Sequence, residues 1–147
     1  MANKRIALTI AGSDSGGGAG VQSDVKTFLN FGVYGVTAIT AITSQNTKGV
    51  QSSFEVPSAV IKSQLKSLFE DFKISAIKTG MLSSSKAIGA VWDIIKNKKI
   101  KLVIDPVLVS KNGFKMLDKA GINVLIKRLI PLSHLITPNI YEAEVLS

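Results

Sequence analysis

Apolar runs rich in β-branched residues alternate along the chain with segments whose apolar residues recur every three or four positions. The runs have the composition of buried strands, and the other segments have the period of amphipathic helices. Strands are predicted at 5–10, 33–42, 75–80, 101–105 and 133–139, and helices at 19–31, 57–72, 85–97 and 118–130. Strands that alternate with helices in this way predict an α/β protein with a mainly parallel sheet covered by helices on both faces.

Boundary residues support several of these elements. Pro57 suits the first turn of the second helix, whose apolar face is predicted to contain Val60, Ile61, Leu65, Leu68 and Phe69. Serines before the third helix and Asp118 before the fourth are typical N-caps. The last segment, 139–147, has helical spacing, but no glycine stop signal or basic last turn follows it. The pattern alone is compatible with a short terminal helix and with a chain cut inside an element.

Composition favours one globular domain of 147 residues, with 46% apolar and 19% charged residues. No apolar run approaches the ~18 residues of a membrane span, and the first apolar run is too short for a signal peptide. We therefore expect no membrane association and a cytoplasmic location. The absence of cysteine excludes disulfides and thiolate metal sites.

The formal net charge of +8 allows two interpretations. A basic domain is typical of nucleic-acid binding, but only Arg5 and Arg128 are arginines, and the lysines are scattered. The one cluster, Lys96 to Lys101, falls where a helix should end, and lysines suit that position. We therefore favour a solvated surface and expect no nucleic-acid partner.

A glycine-rich stretch, AGSDSGGGAGVQSD, joins the first strand to the first helix and has five glycines between Gly12 and Gly20. It is neither a P-loop, because no Gly-Lys-Ser/Thr closes it, nor the dinucleotide fingerprint, because Val21 replaces the third glycine. Five glycines exceed what a tight turn needs, and a helix N-terminus follows them. This favours a ligand that passes close to the backbone.

Other candidate residues lie at the ends of the predicted strands, where ligands gather in parallel sheets. Asp24 lies too far into its helix to be explained well as a cap, and Gln45, in a predicted polar loop at 43–49, offers a donor and an acceptor to a heterocycle. Met81 is either a ligand-facing wall or a core residue. Asp105 ends a buried strand where a catalytic or metal-linked carboxylate would lie. No role is assigned to His134, and zinc is not expected.

Five segments, in this order, resemble the hydroxymethylpyrimidine/phosphomethylpyrimidine kinases of thiamine biosynthesis. They are ALTIAGSDSGGGAGVQSDVKTF, GVYGVTAITAITSQNTKGV, IKTGML, VIDPVLVSKNG and LITPNIYEAEVL. The resemblance covers essentially the whole chain and implies a ribokinase-like fold with three layers, α/β/α. It also implies phosphorylation of 4-amino-5-hydroxymethyl-2-methylpyrimidine, and then of its monophosphate, with ATP and Mg²⁺.

The resemblance also implies roles for particular residues. The pyrimidine pocket of the family matches Gly12, Ala19, Asp24, Thr43, Gln45, Met81 and Val107. Its nucleotide and magnesium side matches Asp105, Asn139 and Glu142, with Asp105 and Glu142 near Mg²⁺ either directly or through water. No residue of this chain matches the family's catalytic base.

Members of the family are longer than this chain, and the anion hole, the catalytic base and much of the ATP site lie in their later residues. Residues 1–147 are therefore expected to be the N-terminal portion of a single kinase domain, inactive or nearly inactive alone. An exposed sheet edge is expected to favour a homodimer or higher homo-oligomer. A pyridoxal or pyridoxine kinase and a non-catalytic pyrimidine-binding module stay open as alternatives. Whether Lys78 or Lys111 touches a phosphate is also open.

Overall fold

A computed structural model describes residues 5–110 and 112–147 of the chain, so Lys111 lies outside the described residues. Its strands are β1 (Ile6–Asp14), β2 (Tyr34–Asn46), β3 (Gly49–Glu55), β4 (Ile74–Thr79), β5 (Lys101–Ile104) and β6 (Leu135–Ile136). Its helices are α1 (Gly20–Asn30), α2 (Ser58–Asp71), α3 (Ser85–Ile95), α4 (Lys119–Val124) and α5 (Ile140–Leu146). The chain after α4 continues as a π-helical turn, Leu125–Leu129, and a 3-10 turn, Ile130–Leu132.

The six strands of the described sheet have the order β3-β2-β1-β4-β5-β6, and every pairing is parallel except that of β3 with β2. α1 packs on β1 and β2, while α3 packs against α2 and against α4. Right-handed crossovers put these two groups of helices on opposite faces of the sheet. The predicted α/β fold with a mainly parallel sheet is therefore confirmed.

The core forms because the predicted apolar faces meet between the sheet and the helices. Ile61 and Leu65 of α2 are fully buried, as predicted, together with Leu8, Ile10 and Ile88. Val60 is exposed, so its place on the predicted apolar face of α2 is wrong. The caps are as predicted: Ser84 Oγ accepts the N–H of Ala87 (3.2 Å), and Asp118 Oδ1 accepts the N–H of Gly121 (2.7 Å).

The predicted polar loop at 43–49 is wrong. Residues up to Asn46 extend β2, and a tight turn leads into β3, which pairs with β2 in the antiparallel direction. No element is predicted at 50–56, because most side chains of β3 are polar or exposed and give no apolar face to detect. The count of five strands is corrected to six, and the last segment forms the short helix α5.

The lysine cluster packs on aromatic rings at the end of α3. Lys96 Nζ lies 4.2 Å from the centroid of the Trp92 ring, and Lys98 Nζ lies 4.1 Å from that of Phe69. These cation–π contacts give the cluster a structural role at the surface. Over the described ranges, no helix combines the length and the apolar character that a membrane crossing requires.

Candidate functional site

The carboxyl ends of β1, β2, β4 and β5 border a cavity of about 780 Å³. From β1 the chain adds β2 and β3 on one side of β1, and it then crosses over to add β4 on the other side. The cavity therefore lies at the topological switch point of the sheet. Open α/β sheets bind ligands at this point. The lining contains eight of the ten predicted site residues: Gly12, Ala19, Asp24, Thr43, Gln45, Met81, Asp105 and Val107.

The glycine-rich stretch forms a loop around the carboxylate of Asp14. Asp14 accepts the backbone N–H groups of Gly16 (2.7 Å), Gly18 (2.9 Å) and Ala19 (2.8 Å), and its side chain is buried. Hydrogen bonds to an ionised acceptor are among the stronger ones in proteins. The carboxylate therefore fixes the loop, and Ala19 becomes the N-cap residue of α1.

Close approach explains the glycines nearest the cavity. A Cβ on Gly12 would lie 3.2 Å from Met81 Sδ, and a Cβ on Gly80 would lie 3.0 Å from both Ala11 Cβ and Lys78 Nζ. The backbone at the ends of β1 and β4 therefore runs directly beneath the side chains that form the cavity wall. That these glycines let the chain pass close to a ligand stays a prediction.

Gln45 is held at the cavity by Ser15 of the glycine-rich loop and by Thr43 of its own strand, β2. The Ser15 hydroxyl lies 2.8 Å from both the backbone N and the backbone O of Gln45, accepting from the first and donating to the second. Thr43 Oγ1 lies 3.1 Å from Gln45 Oε1 and 3.0 Å from the Ser13 carbonyl oxygen. Thr43 thus contacts the amide of Gln45, which stands at the cavity wall.

One side of the cavity is apolar. Met81 and Val107 pack in one cluster with Ala41, Val50 and Met116. Met81 is therefore both part of a small core and part of the wall, so the two interpretations of the sequence are compatible. A flat heterocycle would meet an apolar surface on this side and polar groups at the glycine-rich loop.

Asp24 points across the sheet and does not cap α1. Its Oδ2 accepts the hydroxyl proton of Thr9 (2.6 Å), and its two carboxylate oxygens lie 3.1 Å and 3.0 Å from Lys78 Nζ. Lys78 Nζ also lies 3.5 Å from Asp105 Oδ2. The role of Lys78 is open from the sequence, although a lysine inside an apolar strand is a usable signal.

Asn139 and Glu142 lie outside the residues that line this cavity and form a capping box at α5. Asn139 Oδ1 accepts the N–H of Glu142 (2.9 Å), and Glu142 Oε2 accepts the N–H of Asn139 (3.0 Å). Glu142 Oε1 accepts the N–H of Leu108 (3.3 Å), and Glu142 is only 5% exposed. Glu142 therefore links α5 to the segment that follows Asp105.

The donor set fits magnesium at Asp105 and does not fit direct coordination by Glu142. Asp105 is 39% exposed at the cavity, and Mg²⁺ is commonly held by one or two carboxylates together with phosphates and water. Both oxygens of Glu142 already accept backbone N–H groups in a buried place. Within the described residues, no group of three or more acidic or histidine side chains is arranged to hold a metal.

The fold and the position of this cavity are those of the ribokinase-like class of α/β proteins. Solved kinase structures have the same fold. A model of one family, phosphomethylpyrimidine kinase, matches residues 14–147. The chain belongs to this family, as its five motifs predicted.

Named relatives agree with this assignment. The hydroxymethylpyrimidine/phosphomethylpyrimidine kinase of Haemophilus influenzae is 47% identical over 148 aligned positions, which cover 100% of this chain and 55% of that protein. A crystal structure of phosphomethylpyrimidine kinase from Clostridium difficile is 48% identical, with a TM-score of 0.91 over 98% of this chain and 63% of that one. The chain therefore spans a little more than half the length of these relatives.

Pyridoxal kinases are also similar in structure. A pyridoxal kinase from Staphylococcus aureus, solved in complex with pyridoxal, is 34% identical, with a TM-score of 0.87 over 99% of this chain and 54% of that one. The fold is thus shared by kinases named for phosphomethylpyrimidine and kinases named for pyridoxal.

Proposed function

We propose that the chain binds 4-amino-5-hydroxymethyl-2-methylpyrimidine in the cavity, as the substrate-binding part of an ATP-dependent kinase of thiamine biosynthesis. The observation that carries the proposal is the convergence of the Gln45 amide with the apolar wall of Met81 and Val107. An amide complements the donor–acceptor edge of an aminopyrimidine. The apolar wall would hold the ring, and the glycine-rich loop would pass close over it.

Phosphoryl transfer depends on in-line positioning and on neutralising the charge of the transferred group. Gln45, bonded to the aminopyrimidine edge, and Asp24 would orient the substrate. Asp105 would hold Mg²⁺, which would supply the charge neutralisation when bound. Asn139 and Glu142 would act indirectly, because their hydrogen bonds fix the chain next to Asp105. The substrate monophosphate is proposed as a second substrate of the same kinase.

Binding without turnover is the second candidate function for residues 1–147. Among the described residues, the carboxylates that line the cavity are Asp14, Asp24 and Asp105, and each contacts a donor or a cation of the protein. Asp14 and Asp24 are held by hydrogen bonds, and Asp105 is the proposed Mg²⁺ ligand, so none of the three is assigned to take the proton of a substrate hydroxyl. We therefore predict binding with little or no ATP turnover by this chain alone.

Calorimetric titration with hydroxymethylpyrimidine tests the proposal. Gln45→Ala is expected to weaken binding by at least about tenfold, because a hydrogen-bonding group of the cavity is lost. Asn123→Ala removes an exposed amide of α4 and should leave the affinity unchanged. Pyridoxal, titrated in parallel, should bind more weakly.

Three results would contradict parts of this assignment. Failure of hydroxymethylpyrimidine to bind would remove the substrate assignment. Tighter binding of pyridoxal would favour the pyridoxal kinase alternative. Robust ATP turnover by the purified chain, measured in the same samples, would overturn the prediction that it binds without catalysis.

A further inference from the structure

Lys78 extends from β4, and its ammonium group lies between the carboxylates of Asp24 and Asp105 at the cavity lining. Nζ lies 3.0 Å and 3.1 Å from the oxygens of Asp24 and 3.5 Å from Asp105 Oδ2. The side chain is only 23% exposed. Taking an ammonium group out of water is costly unless carboxylates compensate, so these partners hold the cation in place.

The two contacts differ in strength. Asp24 is anchored by the Thr9 hydroxyl and hydrogen-bonds the ammonium with both of its oxygens. Asp105 is farther away, and its side chain is more exposed. Of the two carboxylates, Asp105 is therefore the one that can exchange the lysine for another cation with less loss.

Gly80 leaves room for the ammonium in this position. A Cβ on Gly80 would lie 3.0 Å from Lys78 Nζ, so the lysine passes directly over a residue that has no side chain. Two carboxylates and one ammonium leave one net negative charge on the three groups. The group is thus attractive to a divalent cation, but less attractive than it would be without the lysine.

We propose that the Lys78 ammonium is a built-in counterion of Asp105, which a divalent cation must displace in order to bind. Asp24 retains the lysine in the cavity when this happens. Lys78 is then a positioning residue that lowers the affinity of the substrate-free site for the cation. The choice of Mg²⁺ as the natural cation rests on the proposed function. The competition between Lys78 and a divalent cation for Asp105 does not depend on that function.

Manganese binding to the purified chain tests this competition, with free Mn²⁺ followed by electron paramagnetic resonance. Lys78→Gln removes the charge but keeps a donor for Asp24, and it should tighten Mn²⁺ binding by about tenfold, as expected for one charge close to the metal. Lys78→Met should act in the same direction. Lys66→Met removes an exposed lysine of α2 and should leave the affinity unchanged.

Asp105→Asn tests whether the gain in Mn²⁺ affinity arises at Asp105. Alone it should weaken Mn²⁺ binding, and combined with Lys78→Gln it should abolish the gain. Circular dichroism on every variant confirms that the fold is kept, and Asp105→Asn tests the site even where a Lys78 variant does not fold.

The proposal would be overturned by unchanged or weaker Mn²⁺ binding in folded Lys78→Gln. A gain that persists in the double variant would also overturn it, as would the absence of Mn²⁺ binding in every variant. Loss of hydroxymethylpyrimidine binding alone would instead remove the proposed substrate and leave this result unaffected.

Discussion

Gly20 is the residue at which the geometry of the glycine-rich loop is most constrained. Its φ is +57°, in the left-handed region, and a Cβ would lie 2.3 Å from the carbonyl oxygen of Gly12. Gly12 lines the cavity, so Gly20 connects the start of α1 to the cavity wall. Gly32, just after α1, also has a positive φ of +69°, but a Cβ there would meet open space.

Substituting Gly20 and Gly32 separately distinguishes the cost of the left-handed backbone conformation from the cost of a steric clash. Gly32→Ala should lower the free energy of unfolding by about 1 kcal/mol, the cost of the left-handed conformation. Gly20→Ala should lower it by at least about 3 kcal/mol, because the loop must also move away from the new methyl group. Urea denaturation measures both values, and equal losses would show that the loop adapts to the methyl group freely.

At the scale of elements, α2 and α3 are joined at the surface by the pair of Lys62 and Asp93. Lys62 Nζ lies 2.5 Å from Asp93 Oδ2, and both side chains are 40% exposed. The hydrogen bond from Lys62 lowers the pKa of Asp93 below its ordinary value. A lowered carboxyl pKa stabilises the fold above the ordinary pKa, and this contribution is lost as the pH falls through the folded value.

Lys62→Met should therefore cause a small loss of stability that depends on pH. The difference in melting temperature from the unaltered chain should be present at neutral pH and disappear in strong acid, where Asp93 is protonated in both proteins. Lys66→Met, on the same helix, should show no such dependence. A difference that grows toward low pH would contradict the assignment of the pair.

At the scale of the whole molecule, the described sheet has β6 at one edge, and the chain continues from β6 into α5, which exposes apolar side chains. Ile140 is 82% exposed and Tyr141 54%. A strand edge has unpaired backbone groups, and an apolar neighbour strengthens its tendency to associate. The expected homo-oligomer stays a prediction, and this edge is the place where we expect the copies to meet.

Ile140→Ser combined with Tyr141→Ser should shift the chain toward the monomer in sedimentation velocity. Leu29→Ser combined with Phe31→Ser removes a second exposed apolar pair, at the end of α1, and should have a smaller effect. Association that depends only on the α1 pair would place the interface at the end of α1 instead of at β6 and α5. A chain that is monomeric at all concentrations would contradict the prediction of an oligomer.

Sequence reasoning succeeded where the signal was local. Apart from β3, the element order follows from period, and the caps at Ser84 and Asp118 follow from capping preference. Pro57 is predicted in the first turn of α2 and is the N-cap residue just before it. Sequence reasoning failed at β3, where Phe54 is an exposed apolar residue among polar ones, and where the pairing with β2 comes from the turn between them. An edge strand of this kind has little periodic signal to detect.

The candidate site residues came from the resemblance to the kinase family, and the structure places eight of the ten at one cavity. Gln45 and Met81 share the cavity, which is compatible with the proposed roles but does not test them. Ser15, which holds the backbone of Gln45, had no distinctive pattern in the sequence. Glu142 has a cap and a backbone contact that the motif alone did not indicate.

The sequence by itself determined the glycine-rich loop and the succession of strands and helices apart from β3, because these depend on periods and backbone freedom within short segments. The tertiary structure alone decided that Lys78 meets Asp24, 54 residues earlier, and that it also meets Asp105. Those contacts depend on which strands become neighbours and in which register they pair. Both follow from burying the apolar faces of the sheet and the helices against each other, which no short segment specifies.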